Sequence, residues 1–334
     1  MLRAVAFVSA VFIGLIGTPA APHVRWFVDG ETTPPESYAL TDPMFLLAGA
    51  LALTLVAASV WLDPRLPAPP IPRSKWRHDV MELLRVFTGM SFLLTAYEGA
   101  LVAPHHAVGG PMGIVLLILQ TGIGILLIAN RWIFAAAALM LVLLAGVGLK
   151  FGILAALEYA MIAGIAMFLM LNFNRIEDRR ISEELKAYSV DALRIWTGVS
   201  LVSLAVGEKL APSALGQAFV QQYEWNFMTL MGIGFFDDKL FVLSAGMVEA
   251  AIGIVLILGT TTRLAVLALS VMMALSNVVF ILQDNNEAAM VEFIGHMPII
   301  GTAMVLLVLG YGRRLTISRL FERTPPKEMP QPAE

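Results

Sequence analysis

Ten apolar runs, near 3–20, 43–62, 80–103, 111–130, 132–149, 152–172, 190–211, 240–258, 264–282 and 291–311, leave this chain few ways to fold in water. Runs of about 20 residues are long enough to cross a hydrocarbon core as helices. Within lipid an unbroken helix satisfies its own backbone hydrogen bonds, which an isolated strand cannot do. The runs predict an all-α polytopic membrane protein whose first partner is the lipid bilayer. Composition supports this, because 58% of the 334 residues are hydrophobic and only 14% are charged. The mean hydropathy of +0.79 exceeds what a soluble core of ordinary proportions hides.

The basic residues orient the spans. With the N-terminus in the cytoplasm, Arg65, Arg73, Lys75, Arg77, Arg131, Arg175, Arg179, Arg180, Lys186, Arg263, Arg313 and Arg314 fall inside. Arg25, Lys150, Lys209 and Lys239 then fall outside, so the positive-inside rule predicts cytoplasmic termini in a bacterial-type inner membrane. These charge blocks read as topology signals, and no nucleic-acid partner is expected. Arg3, the apolar stretch and Thr-Pro-Ala-Ala also fit a secretory signal peptide. The run stays apolar through Ile16 and matches a cleavage site loosely, so an uncleaved helix is expected. Cysteine is absent, which excludes disulfides, thiolate metal sites and a dithiol relay within the chain.

An internal duplication organises the rest. Arg194-Ile-Trp-Thr-Gly through Gly-Glu-Lys-Leu repeats the pattern of Arg85-Val-Phe-Thr-Gly through Tyr-Glu-Gly. Gln120-Thr-Gly-Ile-Gly-Ile matches Glu249-Ala-Ala-Ile-Gly-Ile, and Glu158 matches Glu292. Each copy has four spans, so the copies are parallel repeats related by an axis along the membrane normal. The expected organisation is an N-terminal helix pair (1–63), a Pro-rich basic linker (64–79) and a first four-helix bundle (80–173). A charged linker (174–189), a second four-helix bundle (190–312) and a tail (313–334) follow. The repeated Gly and Thr residues are expected to serve close helix packing. The external loop of copy one is short, around His105-His106, whereas residues 212–239 of copy two form a longer, aromatic-rich loop suited to an interfacial helix or a lid.

The first helix of copy two, with Gly207-Glu208-Lys209-Leu210 at its outer end, and the last, Glu292-Phe-Ile-Gly-His296-Met-Pro298, resemble the DoxX/DoxD family of four-helix membrane proteins. The resemblance covers 190–311 and, more faintly, 80–172. It implies a quinone-linked subunit or accessory of a membrane redox system, with quinone as ligand and membrane oxidoreductase subunits as partners. The chain departs from that family by doubling the unit and by its lack of cysteine.

The copies differ where ionisable residues fall within the apolar runs. Copy two carries Glu249, Glu292 and His296 where copy one carries Gln120, Glu158 and Ile162. Such residues cost several kcal/mol in a bilayer unless paired or hydrated, so they mark functional sites by default. Glu292 and His296 are four apart and share a helix face. With Glu208, Lys209 and Glu249 they are expected to form a pocket open to the outer face. There Glu292 and His296 exchange protons, Glu249 supports the charge network, and Lys209 attracts an anion or pairs with Glu208. A small-molecule or lipid transporter, and a non-catalytic scaffold in which the same groups only hold helices together, are the alternatives. No metal site is expected, because Glu292 and His296 lack a third ligand fixed by the sequence.

Overall fold

The structure, a computed structural model, describes residues 27–28, 36–66, 74–173, 183–211, 215–309 and 312–320. The expected first span, 3–20, lies outside the described residues, as do residues 67–73 of the 64–79 linker and the tail beyond 320.

The described chain is helical: α1 is Pro43–Leu62, α2 Ser74–Tyr97, α3 Gly110–Ile128 and α4 Ile133–Phe151. They are followed by α5 at Ile153–Glu158, α6 at Met161–Asn172 and α7 at Ser189–Ala205, which a π turn, Val206–Leu210, prolongs. Beyond them come α8 at Gly216–Gln222, α9 at Asp238–Leu258, α10 at Thr262–Leu282 and α11 at Asn286–Val308, with a single short turn of helix, Phe227–Leu230, between α8 and α9. Among the described residues, eight helices are long and apolar enough to cross a membrane: α1 to α4, α7 with its π turn, and α9 to α11. The protein is therefore a multi-pass, all-helical membrane protein.

Two expected spans change shape. The run 152–172 is not one helix, because Gly152 sits at φ 97° and separates α4 from α5. A turn at Tyr159–Ala160 then restarts the chain as α6. The run 80–103 ends as helix at Tyr97, and its last residues fold back as a buried loop in which Leu101 N–H bonds His106 O at 3.0 Å. Hydropathy sums over a stretch and carries no information on backbone direction, so neither break is visible in it.

The helices do not divide into two separate bundles. Within each copy, neighbouring helices pack in chain order, α2 on α3 and α7 on α9. The last helix of each copy, however, packs chiefly on the first helix of the other, α6 on α7 and α11 on α2. The two copies thus close a single circuit around one continuous core, with Phe92, Met140, Phe168, Leu193, Leu256 and Val305 among its buried members. Helices with apolar residues all round give no sequence signal for which face meets which neighbour.

The duplicated motif has a structural meaning in both copies. Arg85 and Arg194 reach across to the C-terminal carbonyls of the next long helix. Arg85 Nη1 donates to Leu127 O and to Ile128 O, and Arg194 Nη1 donates to Leu256 O and to Ile257 O. Each thereby places a cation on carbonyls at the C-terminal end of that helix, where the helix dipole favours it. Each arginine is braced by a carboxylate three residues earlier, Glu82 or Asp191. One turn further on, Gly198 and Gly253 let α7 and α9 touch backbone to backbone, since a Cβ on Gly198 would lie 2.5 Å from Gly253 O.

Helix α1 lies on the outside of this body against α9 and exposes Leu47, Leu51, Leu53 and Leu55. Its end is fastened by polar contacts: Ser59 Oγ and Thr260 Oγ1 are 2.8 Å apart, and buried Asp63 accepts from Thr261 N–H at 2.8 Å and Ser318 Oγ at 2.9 Å.

Candidate functional site

The first helices of the two copies end differently, and that difference builds the site. In copy one α2 stops at Tyr97 and Glu98 is exposed. In copy two the π turn continues the helix, closed by Ala211 N–H on Val206 O at 2.8 Å. The wider turn rotates the following side chains relative to an α-helix, a device common at functional sites. Glu208 is thereby buried, its side chain 2% exposed. Lys209 Nζ donates to Glu208 Oε2 at 3.0 Å and to Glu249 Oε2, on the middle of α9, at 2.8 Å.

On α11, Glu292 and His296 occupy one face, as their spacing predicts. The Ser276 hydroxyl of α10 donates to Glu292 Oε1. His296 Nδ1 is 3.7 Å from the same oxygen, an electrostatic contact longer than a hydrogen bond.

All five expected residues, Glu208, Lys209, Glu249, Glu292 and His296, line one cavity of about 380 Å³. This is within the size range of pockets that hold small organic ligands. Most of its wall is apolar, with Leu201, Val248, Leu269, Met272 and Ile299 among the lining residues. Its aromatic side is supplied by Phe27 and by the long loop of copy two, through Phe219, Trp225, Phe227 and Phe236. The Phe219 and Trp225 rings are 5.8 Å apart, and Trp225 meets Phe241 edge-on at 5.9 Å. The loop is tied down at both flanks. Asn226 donates to Phe236 O at 2.8 Å and Asp238 Oδ1 at 3.0 Å, and Gln283 donates to Tyr223 O at 2.7 Å.

Glu158 and Tyr159 of copy one also line the cavity. Glu158 is buried at the end of α5, and its carbonyl accepts from Ser200 Oγ of α7. The sequence marks Glu158 as an intramembrane carboxyl and as the repeat counterpart of Glu292. Its membership in this site depends on the packing of α5 and α6 on α7, which no local pattern encodes.

The corresponding region of copy one is filled by protein. Gln120, in the place of Glu249, is buried; it donates to Thr95 Oγ1 at 2.9 Å and Ala100 O at 3.2 Å, and accepts from Val102 N–H at 2.8 Å. Leu101, Val102 and Ala103 are buried behind it. His105 and His106 belong to this filled side and do not line the cavity. His106 stacks on Phe151 with centroids 4.4 Å apart and meets Tyr159 edge-on at 5.4 Å. A short loop therefore plugs its own half, whereas the long loop arches over and leaves space. Among the described residues, no group of three or more His, Asp or Glu side chains is arranged to hold a metal ion.

His106 makes the loop of copy one sensitive to acid. Burial lowers its pKa from 6.5 to about 4, opposed by the hydrogen bond to Leu101 O. The unfolded chain then takes up a proton, as pH falls below about 6.5, that the folded chain refuses until about pH 4. Stability is present above that window and is lost through it. Melting temperature measured from pH 7 to pH 4 is expected to fall more steeply for the wild type than for His106→Gln. Parallel slopes would show that His106 stays neutral in both states.

No family model, curated protein or solved structure matches the chain.

Proposed function

We propose that the protein binds a quinone headgroup in the cavity between its repeats, as a subunit or accessory of a membrane redox system. The observation that carries this reading is the convergence of Glu208, Lys209, Glu249, Glu292 and His296 on one apolar, aromatic-sided cavity. A flat ring stacks on aromatic side chains, and its oxygens need polar partners held in fixed positions. Carboxyl and imidazole groups in such a site also suit proton exchange with a quinol. The DoxX/DoxD resemblance supplies the quinone and the membrane oxidoreductase partners. Orientation follows from charge: Arg65, Lys75, Arg77, Arg131, Lys186, Arg263, Arg313 and Arg314 lie at one set of helix ends and Lys150, Lys209 and Lys239 at the other. That distribution supports cytoplasmic termini in a bacterial-type inner membrane.

A transporter of amphipathic molecules is the second reading, favoured by the composite wall. Glu158 comes from one repeat and Glu292 from the other, and transporters commonly bind cargo at a repeat interface.

The test is binding of a short-chain quinone to the purified full chain in nanodiscs. Binding is expected in the wild type and at least about tenfold weaker in Glu249→Gln and His296→Ala, about 1.4 kcal/mol or more, with both variants eluting as folded protein. Folded wild type that binds no quinone overturns the reading and turns attention to flux assays in liposomes.

A further inference from the structure

The second and third spans of the two repeats match without a gap, and the match locates a thin place in the cavity wall. Gln120 stands at the position of Glu249, and the turns that follow share their backbone: φ is positive at Asn130 and Trp132 in copy one and at Gly259 and Thr261 in copy two. Counted from these landmarks, Leu116 of α3 corresponds to Ala245 of α9, and Gly146 of α4 to Leu275 of α10. In copy one the large residue closes the seam between the helices. A Cβ on Gly146 would lie 2.6 Å from Leu116 Cδ2, and Met140, Leu143 and Val147 of α4 are fully buried. In copy two the counterparts of those three, Leu269, Met272 and Ser276, line the cavity together with Ala245 and Leu275. Helix α10 packs chiefly on α11 and only lightly on α9. Leu275, 45% exposed, and Val248 of α9, 39% exposed, therefore border the cavity and the outer surface of the helices at once.

We infer that the seam between α9 and α10 is a mouth opening sideways into the hydrocarbon, through which the cavity takes an amphiphile with a long apolar chain. The polar head sits among Lys209, Glu249 and Glu292, and the chain leaves between Val248 and Leu275 into the bilayer. Both residues lie well inside their spans, Asp238–Leu258 and Thr262–Leu282, so the mouth faces acyl chains and not water. A chain that stays in lipid gives up little on binding, because acyl tails are as apolar as the side chains it meets. A route to water would run through the roof, where Asn226 is bonded to Phe236 O and Asp238, and Gln283 to Tyr223 O. Opening the roof breaks those bonds, whereas Ala245, Val248, Met272 and Leu275 at the seam have only apolar contacts to part. The inference goes beyond the quinone reading, since it fixes the route and the chain whatever the head group; a long-chain quinone is one member of the class.

The lack of cysteine lets a single substitution place a single spin label. Met272→Cys, on the cavity wall, and Val271→Cys, at a 51% exposed position beside it on α10, are labelled in the full chain in nanodiscs, with both variants eluting as folded protein. Collisions with oxygen, which concentrates in hydrocarbon, are compared with collisions with a water-soluble nickel chelate. Oxygen access at position 272 is expected to lie within about twofold of that at 271, because both sit at one depth in the hydrocarbon, with nickel access low at both. Adding Ala245→Leu, which restores the side chain of copy one, is expected to close-pack the seam, cutting oxygen access at 272 by about twofold or more and leaving 271 unchanged. That second effect separates an open seam from a label that has turned outward. Decyl-quinone is expected to lower oxygen access at 272 in the same way. Oxygen access at 272 far below that at 271, or nickel access above oxygen access, overturns the inference and leaves the quinone site standing. A label that responds to Ala245→Leu and not to decyl-quinone removes the quinone reading and upholds the mouth.

Discussion

Arg194→Met is expected to cost about 3–5 kcal/mol and to abolish most folded protein in mild detergent. The residue is fully buried, donates to Leu256 O, Ile257 O and Leu315 O, and pairs with Asp191 at 2.8 Å. Methionine fills much of the volume but strands Asp191, whose side chain is 0% exposed, beside carbonyls that have lost their donor. Asp191 also accepts from Arg314 N–H at 3.1 Å and Leu315 N–H at 3.2 Å, so the damage extends to the segment after α11. Adding Asp191→Asn to Arg194→Met removes the stranded charge and keeps an acceptor, and is expected to restore part of the loss. The repeat supplies the control. Arg85→Met leaves Glu82, which is 25% exposed and reaches water, and is expected to cost markedly less. Thermal unfolding followed by circular dichroism checks the series; equal losses at Arg85 and Arg194 would contradict the argument from burial.

Gly198→Val is expected to be nearly as damaging, at about 3 kcal/mol or more. A Cβ at Gly198 would lie 2.5 Å from Gly253 O and 3.0 Å from Ile257 N, and both obstacles are backbone. Relief requires α7 and α9 to separate, which moves Glu208 and Lys209 away from Glu249 and enlarges the cavity. Gly122→Val on α3 is the matched control, because nothing lies within 4 Å of the position its Cβ would take. Its melting temperature is expected to stay within a degree or two of wild type, since substitutions that meet no packed neighbour usually change stability by about 0.5 kcal/mol or less. If the two variants melt together, the close approach of α7 and α9 does not set the stability of this pair.

The candidate site was legible in part because ionisable residues stand out against apolar runs and because a duplication exposes where its copies diverge. Glu249 and His296 are visible as departures from Gln120 and Ile162, Glu292 as an intramembrane carboxyl matched by Glu158, and the cavity gathers all three with Glu208 and Lys209. Glu158 was visible as a residue and not as a member of the site, since it reaches the cavity through the break after α5 and the packing of copy one against α7. The π turn that buries Glu208 left no mark in the pattern, because an added residue in one turn changes side-chain direction without changing hydropathy.

The sequence by itself determined that the chain is a helical, multi-pass membrane protein, where most of its spans lie, and which polar residues lie within them. Length and apolarity set these properties, and each acts along the chain. The tertiary structure decided that the last helix of each copy packs on the first helix of the other. It also decided that one loop plugs its half while the other roofs a cavity. Those outcomes rest on shape matching between helices whose surfaces are apolar on nearly every side, at contacts as close as Gly198 on Gly253, and such matching is a property of pairs of surfaces that no single stretch of sequence carries.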